Sequence, residues 1–184
     1  MQFDPKRTAL LVIDAIDADD TVYKPDPAQD TYRQNVAEVV NLCHEAHLPV
    51  LFCNDAHIPG IDHELELWGD HGIAGKSHIF PEINVQDSDY IIPKRRYSGF
   101  FSTDLDLTLR ELNIDTLIAV GADTNICVLH TLADAFYRNY KTVLVSDATL
   151  TFLVGTQDQA IERAQKCYGS TIVNMKTLRE LLKG

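Results

Sequence analysis

The stretch TLIAVGADTNICVLHTLADAFYRNYKTVLVSD, residues 116–147, has two short β-branched runs with a segment of helical period between them. The runs are TLIAVG at 116–121 and TVLVSD at 142–147, and they are apolar almost throughout, as strands covered on both faces should be. The apolar residues of the intervening segment recur at helical spacing, at Leu129, Leu132, Ala133 and Phe136. This order of strand, helix and strand predicts a parallel βαβ unit.

The same alternation extends outward from this unit through the rest of the chain. Four further runs have the character of strands: TALLVID (8–14), PVLFCN (49–54), YIIPK (90–94) and STIVN (170–174). Segments of helical period cover residues 32–43, 105–112, 156–168 and 176–182. We therefore predict an α/β fold of three layers, αβα, with a doubly wound, mainly parallel sheet of about six strands. No repeat or linker divides residues 1–184, so a single domain is expected.

The composition narrows the class of protein before any motif is considered. Hydrophobic residues make up 45% and charged residues 23% of the 184 positions, a balance typical of one globular domain and not of a disordered or collagen-like chain. The 16 basic and 27 acidic side chains give a net charge of −11, which argues against nucleic acid and anionic membrane surfaces as partners. The apolar runs are far shorter than the roughly 20 residues of a membrane span.

The cysteines and the first residues together indicate a location. The four cysteines form no C-x-x-C pair, and the chain starts MQFDPKRTALLVID, without a basic and then apolar leader. We therefore expect reduced thiols in a cytoplasmic protein.

Three reactive side chains are expected at one edge of the predicted sheet. Ligands of open α/β sheets bind beyond the carboxyl ends of the strands. Asp14 ends the first predicted strand, Lys94 ends the third, and Cys127 lies six residues past Gly121, at the start of a helix. These side chains should therefore converge.

Each of the three has two interpretations from the residues alone. The helix N-terminus can stabilise a Cys127 thiolate as a nucleophile, or Cys127 is a small apolar core residue, the role expected for the other three cysteines. Asp14, at an apolar strand end, has the raised proton affinity that a general base needs, or it caps the next loop. Lys94 is a solvated edge charge, or an ammonium between Asp14 and a thiolate.

The long irregular segment 55–81 is rich in metal-ligating side chains. Asp55 and His57 follow the second strand as D-x-H, which puts both side chains on one side, where they can share an ion. Glu64 and His71 complete a shell of two nitrogen and two oxygen donors, which suits zinc, manganese or iron(II). Competing candidates in the same segment are His63 and His78. Structural zinc is usually bound by cysteines, and only Cys53 is near this segment, so an open, substrate-binding ion is expected rather than a structural one.

Whole motifs of the chain resemble a known family. TALLVIDAID at 8–17, IIPKRRYSGFFSTDLDLTLRELNIDTLIAVGADTNICVLHTLADAF at 91–136 and TVLVSDAT at 142–149 are similar to the cysteine hydrolases of the isochorismatase superfamily, and most of all to nicotinamidases. The likeness covers about residues 8–150, and its K-x-x-Y-S-x-F and G-x-x-x-x-x-C-V blocks are specific in combination. The resemblance implies the isochorismatase-like hydrolase fold.

The resemblance also implies roles for the residues at the predicted edge. Asp14, Lys94 and Cys127 match the catalytic triad of these enzymes. Ala122-Asp123 matches a cis peptide bond, and the backbone N–H groups of Asp123 and Cys127 match the oxyanion hole. In such enzymes the cysteine attacks the amide and forms a thioester that water hydrolyses. The implied reaction converts nicotinamide to nicotinic acid and ammonia, a step of NAD salvage.

The nicotinamidase branch carries a metal site that this chain matches. Asp-x-His, then Glu, then His correspond here to Asp55, His57, Glu64 and His71, and zinc is expected first, with manganese or iron as alternatives. The ion would hold the pyridine nitrogen of the substrate. One departure is that the last segment reads WGDHG at 68–72, whereas W-P-x-H-C is the commoner form.

Aromatic side chains are expected to line the cavity around the substrate ring. Trp68 and Tyr97 are the first candidates, Phe100 or Phe101 the next, and packing roles are an open alternative for all four.

Three rival functions remain open at this point. The nearest is a cysteine hydrolase of another small amide, ureido or carbamoyl substrate. The others are a metal-free vinyl-ether hydrolase of isochorismatase type, against which Cys127 and the four candidate ligands argue, and a non-catalytic ligand-binding member. The expected partners are a small-molecule amide and further copies of the chain in a homo-oligomer.

Overall fold

The structure is a computed structural model that describes residues 4–17 and 27–183. Its strands are β1 (Thr8–Ile13), β2 (Ile16–Asp17), β3 (Val50–Asp55), β4 (His78–Ile79), β5 (Tyr90–Lys94), β6 (Thr116–Ala122), β7 (Lys141–Leu150) and β8 (Thr171–Val173). Six of them form a parallel sheet in the order β5-β3-β1-β6-β7-β8, and β2 and β4 form a separate antiparallel pair. The six predicted strands are therefore all confirmed.

The described residues also include the five predicted helices and one short helix, Glu64–Trp68, that was not predicted. They are α1 (Pro27–Glu45), α2 (Glu64–Trp68), α3 (Leu105–Glu111), α4 (Leu129–Tyr137), α5 (Gln157–Tyr168) and α6 (Met175–Lys183). In α5 the start is set by a capping box, in which the Thr156 and Gln159 side chains each accept from the other residue's backbone N–H. None of the helices in this part of the chain combines the length and apolar character needed to cross a membrane.

The buried strand β1 shows how the three layers arise. Successive side chains of a strand point to opposite faces of the sheet. Leu10 and Val12 pack in the core that includes α1 and α6, whereas Ala9, Leu11 and Ile13 pack in the core that includes α3, α4 and α5. The sheet is thus covered on both faces, which confirms the αβα prediction.

The strand order reverses at the centre of the sheet. From β1 the chain moves outward through β3 and β5, returns to β6 on the other side of β1, and moves outward again through β7 and β8. Ligands of open parallel sheets bind beyond the carboxyl ends of the strands at such a point. The fold therefore places the expected site beyond β1 and β6.

The segment 55–81 is mostly irregular, as predicted, but it contains α2 and β4, which are too short to show a period in the sequence. It is closed against the end of β3 by two backbone hydrogen bonds. His57 N donates to Gly72 O at 2.8 Å, and Ala74 N donates to His57 O at 3.0 Å. These bonds bring the middle of the segment back to the sheet.

Of the three cysteines that were predicted to be packing residues, two are buried and one is exposed. Cys43 and Cys53 are buried, and burial raises the pKa of each thiol to about 12, so the packing role is confirmed for them. The same prediction is wrong for Cys167, which is exposed because α5 turns Ala160 and Ala164 to the core.

Candidate active site

The three side chains expected at the sheet edge lie together. Lys94 Nζ is 2.7 Å from Asp14 Oδ2 and 3.6 Å from Cys127 Sγ, and it also donates to Asp55 Oδ1. Asp14 follows β1 in the left-handed conformation, with φ 49°, and its Oδ1 accepts a hydrogen bond from Asp55 N at 2.7 Å. Lys94 is fully buried, so it is not a solvated edge charge, and the carboxylates of Asp14 and Asp55 hold it as an ammonium.

Burial and charge together set the protonation of this cluster. Burial raises the pKa of the Asp14 carboxyl to about 6, and the Asp55 carboxylate adds to this, while Lys94 opposes it. Burial also disfavours a charged Lys94, but Asp14 and Asp55 outweigh it and raise the pKa of the ammonium above its ordinary value. At neutral pH the cluster therefore holds a charged lysine beside a carboxylate that can accept a proton.

Cys127 lies in a π-helical turn, Thr124–Val128, that leads into α4. Burial raises the pKa of its thiol well above the ordinary value, Lys94 lowers it, and the Asp14 and Asp55 carboxylates raise it further. In the resting site, burial and two carboxylates thus oppose the expected thiolate, whereas the charge of Lys94 favours it. The arrangement can instead form a thiolate by proton transfer to Asp14.

The turn between β6 and Cys127 has an unusual backbone. The Ala122-Asp123 peptide bond is cis, as the family resemblance implies. The preceding Gly121 has φ 121°, and a Cβ there would lie 1.8 Å from Ile13 O, so only glycine fits between β1 and β6. The buried Asp123 carboxylate accepts from Asn125 N at 2.8 Å, which holds the turn closed.

The four expected metal ligands converge beside this cluster. His57 Nε2 is 3.5 Å from Asp55 Oδ1 and 3.6 Å from Glu64 Oε2, and His71 Nε2 is 3.9 Å from Asp55 Oδ2. Donor atoms of Asp55, His57 and His71 all lie within 4.8 Å of one another. His71 Nδ1 contacts Gly69 O at 2.8 Å, which leaves Nε2 directed at the group. The competing His63 and His78 are exposed and lie outside it.

The chemistry of this group fits a divalent ion. His57 is completely buried, yet neither of its ring nitrogens has a hydrogen-bond partner among the described residues, which is unusual for buried polar atoms. Burial and the Asp55 carboxylate raise the pKa of Glu64 above its ordinary value. A divalent ion would ligate the nitrogen and offset the repulsion of the carboxylates. Two nitrogen and two oxygen donors suit zinc, manganese or iron(II).

Behind the metal ligands lies Asp62, which the sequence analysis did not select. Its fully buried carboxylate is 3.6 Å from His57 Nδ1 and accepts hydrogen bonds from Ile58 N at 2.7 Å and from Arg95 Nη2 at 2.6 Å. Arg96 Nη1 lies 3.2 Å from the same carboxylate. Asp62 thus faces the ring nitrogen of His57 that points away from Asp55 and Glu64, where it can orient the ring.

A cavity of about 80 Å³ lies between Cys127 and the candidate metal ligands. Trp68 and Tyr97 line it, as expected, and Trp68 Nε1 donates to Tyr97 Oη at 3.1 Å. The expectation for Phe100 and Phe101 is wrong, because Phe100 is buried against Tyr140 and Phe101 is largely exposed, and neither lines the cavity. The remaining apolar lining comes from residues that the sequence analysis missed: Ile16, Ile126, Phe152 and Leu153.

A signal for two of these residues was present in the sequence. Phe152 and Leu153 follow β7, the neighbour of β6, so the rule for strand ends applies to them too. The predicted strand stopped at residue 147, whereas β7 continues to Leu150, and this difference hid the position of the residues that follow.

Comparison with known proteins agrees with the fold described above. Residues 8–174 match the family model for the Isochorismatase domain. The chain belongs to the isochorismatase family. The three-layer fold with its six-stranded parallel sheet is therefore that of an isochorismatase-family chain.

Proteins with different named activities resemble this chain. N-carbamoylsarcosine amidase from Thermoplasma acidophilum is 33% identical, with a TM-score of 0.82 over 91% of this chain and 96% of that one. Pyrazinamidase/nicotinamidase from Streptococcus mutans UA159 is 30% identical, with a TM-score of 0.78 over 90% of this chain and 99% of that one. Ureidoacrylate amidohydrolase RutB from Agrobacterium fabrum is 46% identical over 71 residues, 39% of this chain and 31% of that protein. This chain spans 56% or less of the first curated relatives it matches.

Proposed function

We propose that this chain is a cysteine amidohydrolase that converts nicotinamide to nicotinic acid and ammonia, a reaction of NAD salvage. The observation that carries the proposal is one cavity lined by both the Asp14 and Cys127 pair and the Asp55, Glu64 and His71 group. A reacting amide and a ring nitrogen of the same small molecule can therefore be held at once.

The proposed chemistry uses side chains that already touch. Asp14 accepts the proton of Cys127, and the sulfur attacks the carbonyl carbon of the amide. Backbone N–H groups of Asp123 and Cys127 stabilise the tetrahedral oxyanion, each contributing on the order of 3 kcal/mol. Asp14 returns the proton to the departing ammonia and then takes one from the water that hydrolyses the thioester. Lys94 keeps Asp14 ionised between these transfers.

We assign the metal site to Asp55, His57, Glu64 and His71, with zinc as the first expectation and manganese or iron as alternatives. When bound there, the ion supplies a Lewis-acid contact for the pyridine nitrogen. Trp68 and Tyr97 lie beside the ring and exclude water from it.

A second candidate is hydrolysis of a carbamoyl or ureido substrate, which the likeness to N-carbamoylsarcosine amidase supports. Before an ion binds, the carboxylates that line the cavity favour nicotinamide over the acidic members of this class. Four of the described lining residues are acidic, Asp14, Asp55, Glu64 and Asp123, and none is lysine or arginine. Because N-carbamoylsarcosine and ureidoacrylate carry a carboxylate, each would meet like charges in this cavity.

The first test replaces Cys127 with Ala. Ammonia release from nicotinamide should fall to background because the nucleophile is gone, while the circular dichroism spectrum stays unchanged. Cys167→Ala removes an exposed thiol away from the cavity and should keep the wild-type rate. A Cys127→Ala protein that still releases ammonia would contradict the thioester mechanism.

The second test compares substrates with and without a chelator. Nicotinamide and pyrazinamide should be hydrolysed in preference to benzamide, which lacks a ring nitrogen, and the chelator should remove that preference. If N-carbamoylsarcosine is the better substrate, the second candidate is correct.

The third test measures bound metal directly. Elemental analysis of protein purified without added ions should find about one divalent ion per chain. His71→Ala should lower the content, whereas His63→Ala, which removes an exposed histidine of the same segment, should not. Equal metal content in both variants would refute the ligand assignment.

We also propose that the protein acts as a homo-oligomer in the cytoplasm. All four cysteines are free, which fits a reducing compartment. Light scattering after size-exclusion chromatography measures the number of chains, and a monomeric mass would refute this part of the proposal.

A further inference from the structure

Three consecutive large apolar side chains are exposed directly after β7. Phe152, Leu153 and Val154 are 39%, 41% and 49% exposed, and they follow a strand whose carboxyl end faces the active site. Contiguous exposed apolar side chains at the mouth of a cavity are typical of a surface that a ligand covers. Phe152 and Leu153 line the cavity together with Cys127, whereas Val154 does not.

The backbone of these residues is tied to the turn that carries Cys127. Phe152 N and Leu153 N both donate to Asp123 Oδ2, each at 2.8 Å. The other carboxylate oxygen of Asp123 accepts from Asn125 N, also at 2.8 Å. One buried carboxylate therefore links the apolar pair to the residues immediately before the nucleophile.

A second link closes the same loop from both ends. Asn125 Nδ2 lies 3.3 Å from Thr151 Oγ1 and 3.0 Å from Thr156 O, so one side chain bonds to the residue before Phe152 and to the residue that caps α5. A binding surface that is already ordered in the free protein, as this loop is, loses little conformational entropy when a ligand binds.

We propose that Phe152 and Leu153 are specificity-determining residues that hold the ring of the substrate amide and so select ring-bearing over acyclic amides. The proposal rests on the proposed function and deepens it, because it assigns the ring to a surface formed by this chain after β7. An uncharged ring fits beside the apolar pair, because four of the described residues that line the same cavity are acidic.

The chain offers its own reporter for binding. Trp68 is the only tryptophan and it lines the cavity, so its emission reports occupancy without turnover. The experiment titrates nicotinamide into Cys127→Ala protein and into the same protein carrying Phe152→Ala, Leu153→Ala or Val154→Ala. Val154→Ala is the matched control, because Val154 lies on the same loop with similar exposure but outside the cavity.

The expected result is a rise in Kd of about tenfold for Phe152→Ala, which corresponds to about 1.4 kcal/mol, and of about fivefold for Leu153→Ala. Val154→Ala should stay within about twofold, as expected for a side chain that does not touch the ligand. In protein that retains Cys127, Phe152→Ala should lower the ratio of kcat/KM for nicotinamide to that for acetamide by about tenfold.

The outcomes separate this proposal from the proposed function. If nicotinamide is hydrolysed and both Phe152→Ala and Leu153→Ala behave like Val154→Ala, the assignment of the ring to Phe152 and Leu153 is wrong and the proposed function stands. If the Cys127→Ala protein does not bind nicotinamide but binds benzamide, nicotinamide is not the substrate. The same titrations with benzamide then test whether Phe152 and Leu153 hold the ring. Binding of neither ring amide overturns both.

Discussion

The two sides of the active-site cavity are built in different ways. On the triad side, Asp14, Lys94 and Cys127 follow or end strands of the central sheet, and they are linked by short contacts. On the metal side, Glu64 and His71 come from the segment between β3 and β5, which returns to the sheet through backbone bonds to His57. The sheet positions the proposed catalytic groups, whereas a long connection positions two of the proposed metal ligands.

Asp55 belongs to both sides. Its carboxylate accepts from Lys94, its backbone N–H donates to Asp14, and the same carboxylate faces the ring nitrogens of His57 and His71. Burial opposes its ionisation, but Lys94 and the nearby His57 ring outweigh burial and lower the pKa of Asp55 to about 2. We therefore expect substitutions on the triad side to affect both the stability of the protein and its chemistry. Substitutions on the metal side should affect chiefly ligand binding.

The largest effect is expected for Lys94→Met. This change leaves Asp14 and Asp55 buried without their shared cation, so the free energy of unfolding should fall by about 3 to 5 kcal/mol. The rate of ammonia release should also fall by about 10³-fold, because Asp14 loses the charge that keeps it ionised. Urea denaturation and initial rates measure the two effects. Lys141→Met, at an exposed strand end, should change neither, and a stability loss below about 1 kcal/mol for Lys94→Met would contradict the comparison.

An intermediate effect is expected for Gly72→Ala, which lies where the two sides meet. Gly72 has φ 53°, and a Cβ there would stand 2.4 Å from Asp55 Cβ, so either Asp55 or the returning segment must move. Stability should fall by about 1 to 3 kcal/mol, and metal content should fall with it. Gly75→Ala is the control, because Gly75 has a positive φ of 76° and open space around it. Equal effects of the two changes would show that backbone strain alone is responsible.

The smallest effect on the site is expected for Asp62→Asn, because Asp62 lies behind His57 and its carboxylate also pairs with the partly exposed Arg95 and Arg96. Asparagine keeps the shape of the side chain but removes the negative charge that faces His57 Nδ1, so metal affinity should fall by about tenfold. A zinc titration with a competing chelator measures the affinity. Glu66→Gln, at an exposed residue of the same segment, should leave it unchanged. If both variants bind zinc equally well, Asp62 does not orient the ring.

Much of this arrangement could be predicted from local patterns. The six strands follow from short apolar runs, and Asp14 and Lys94 were expected at the site because they stand at strand ends. The side chains of Asp55 and His57 were expected on one side because side chains alternate along a strand. These inferences need only neighbouring residues, since period and strand direction are properties of short segments.

The sequence alone predicts the α/β order of elements, the edge at which the reactive side chains meet and the likeness to the isochorismatase superfamily. The tertiary structure was needed to show that burial raises the pKa of the Cys127 thiol, that Asp55 contacts both sides of the cavity, and that Asp62, Phe152 and Leu153 lie at the site. This difference arises because burial, charge and cavity lining depend on segments far apart in the chain. A short pattern records the position of a residue along its own strand or helix, and not which distant groups share its surroundings.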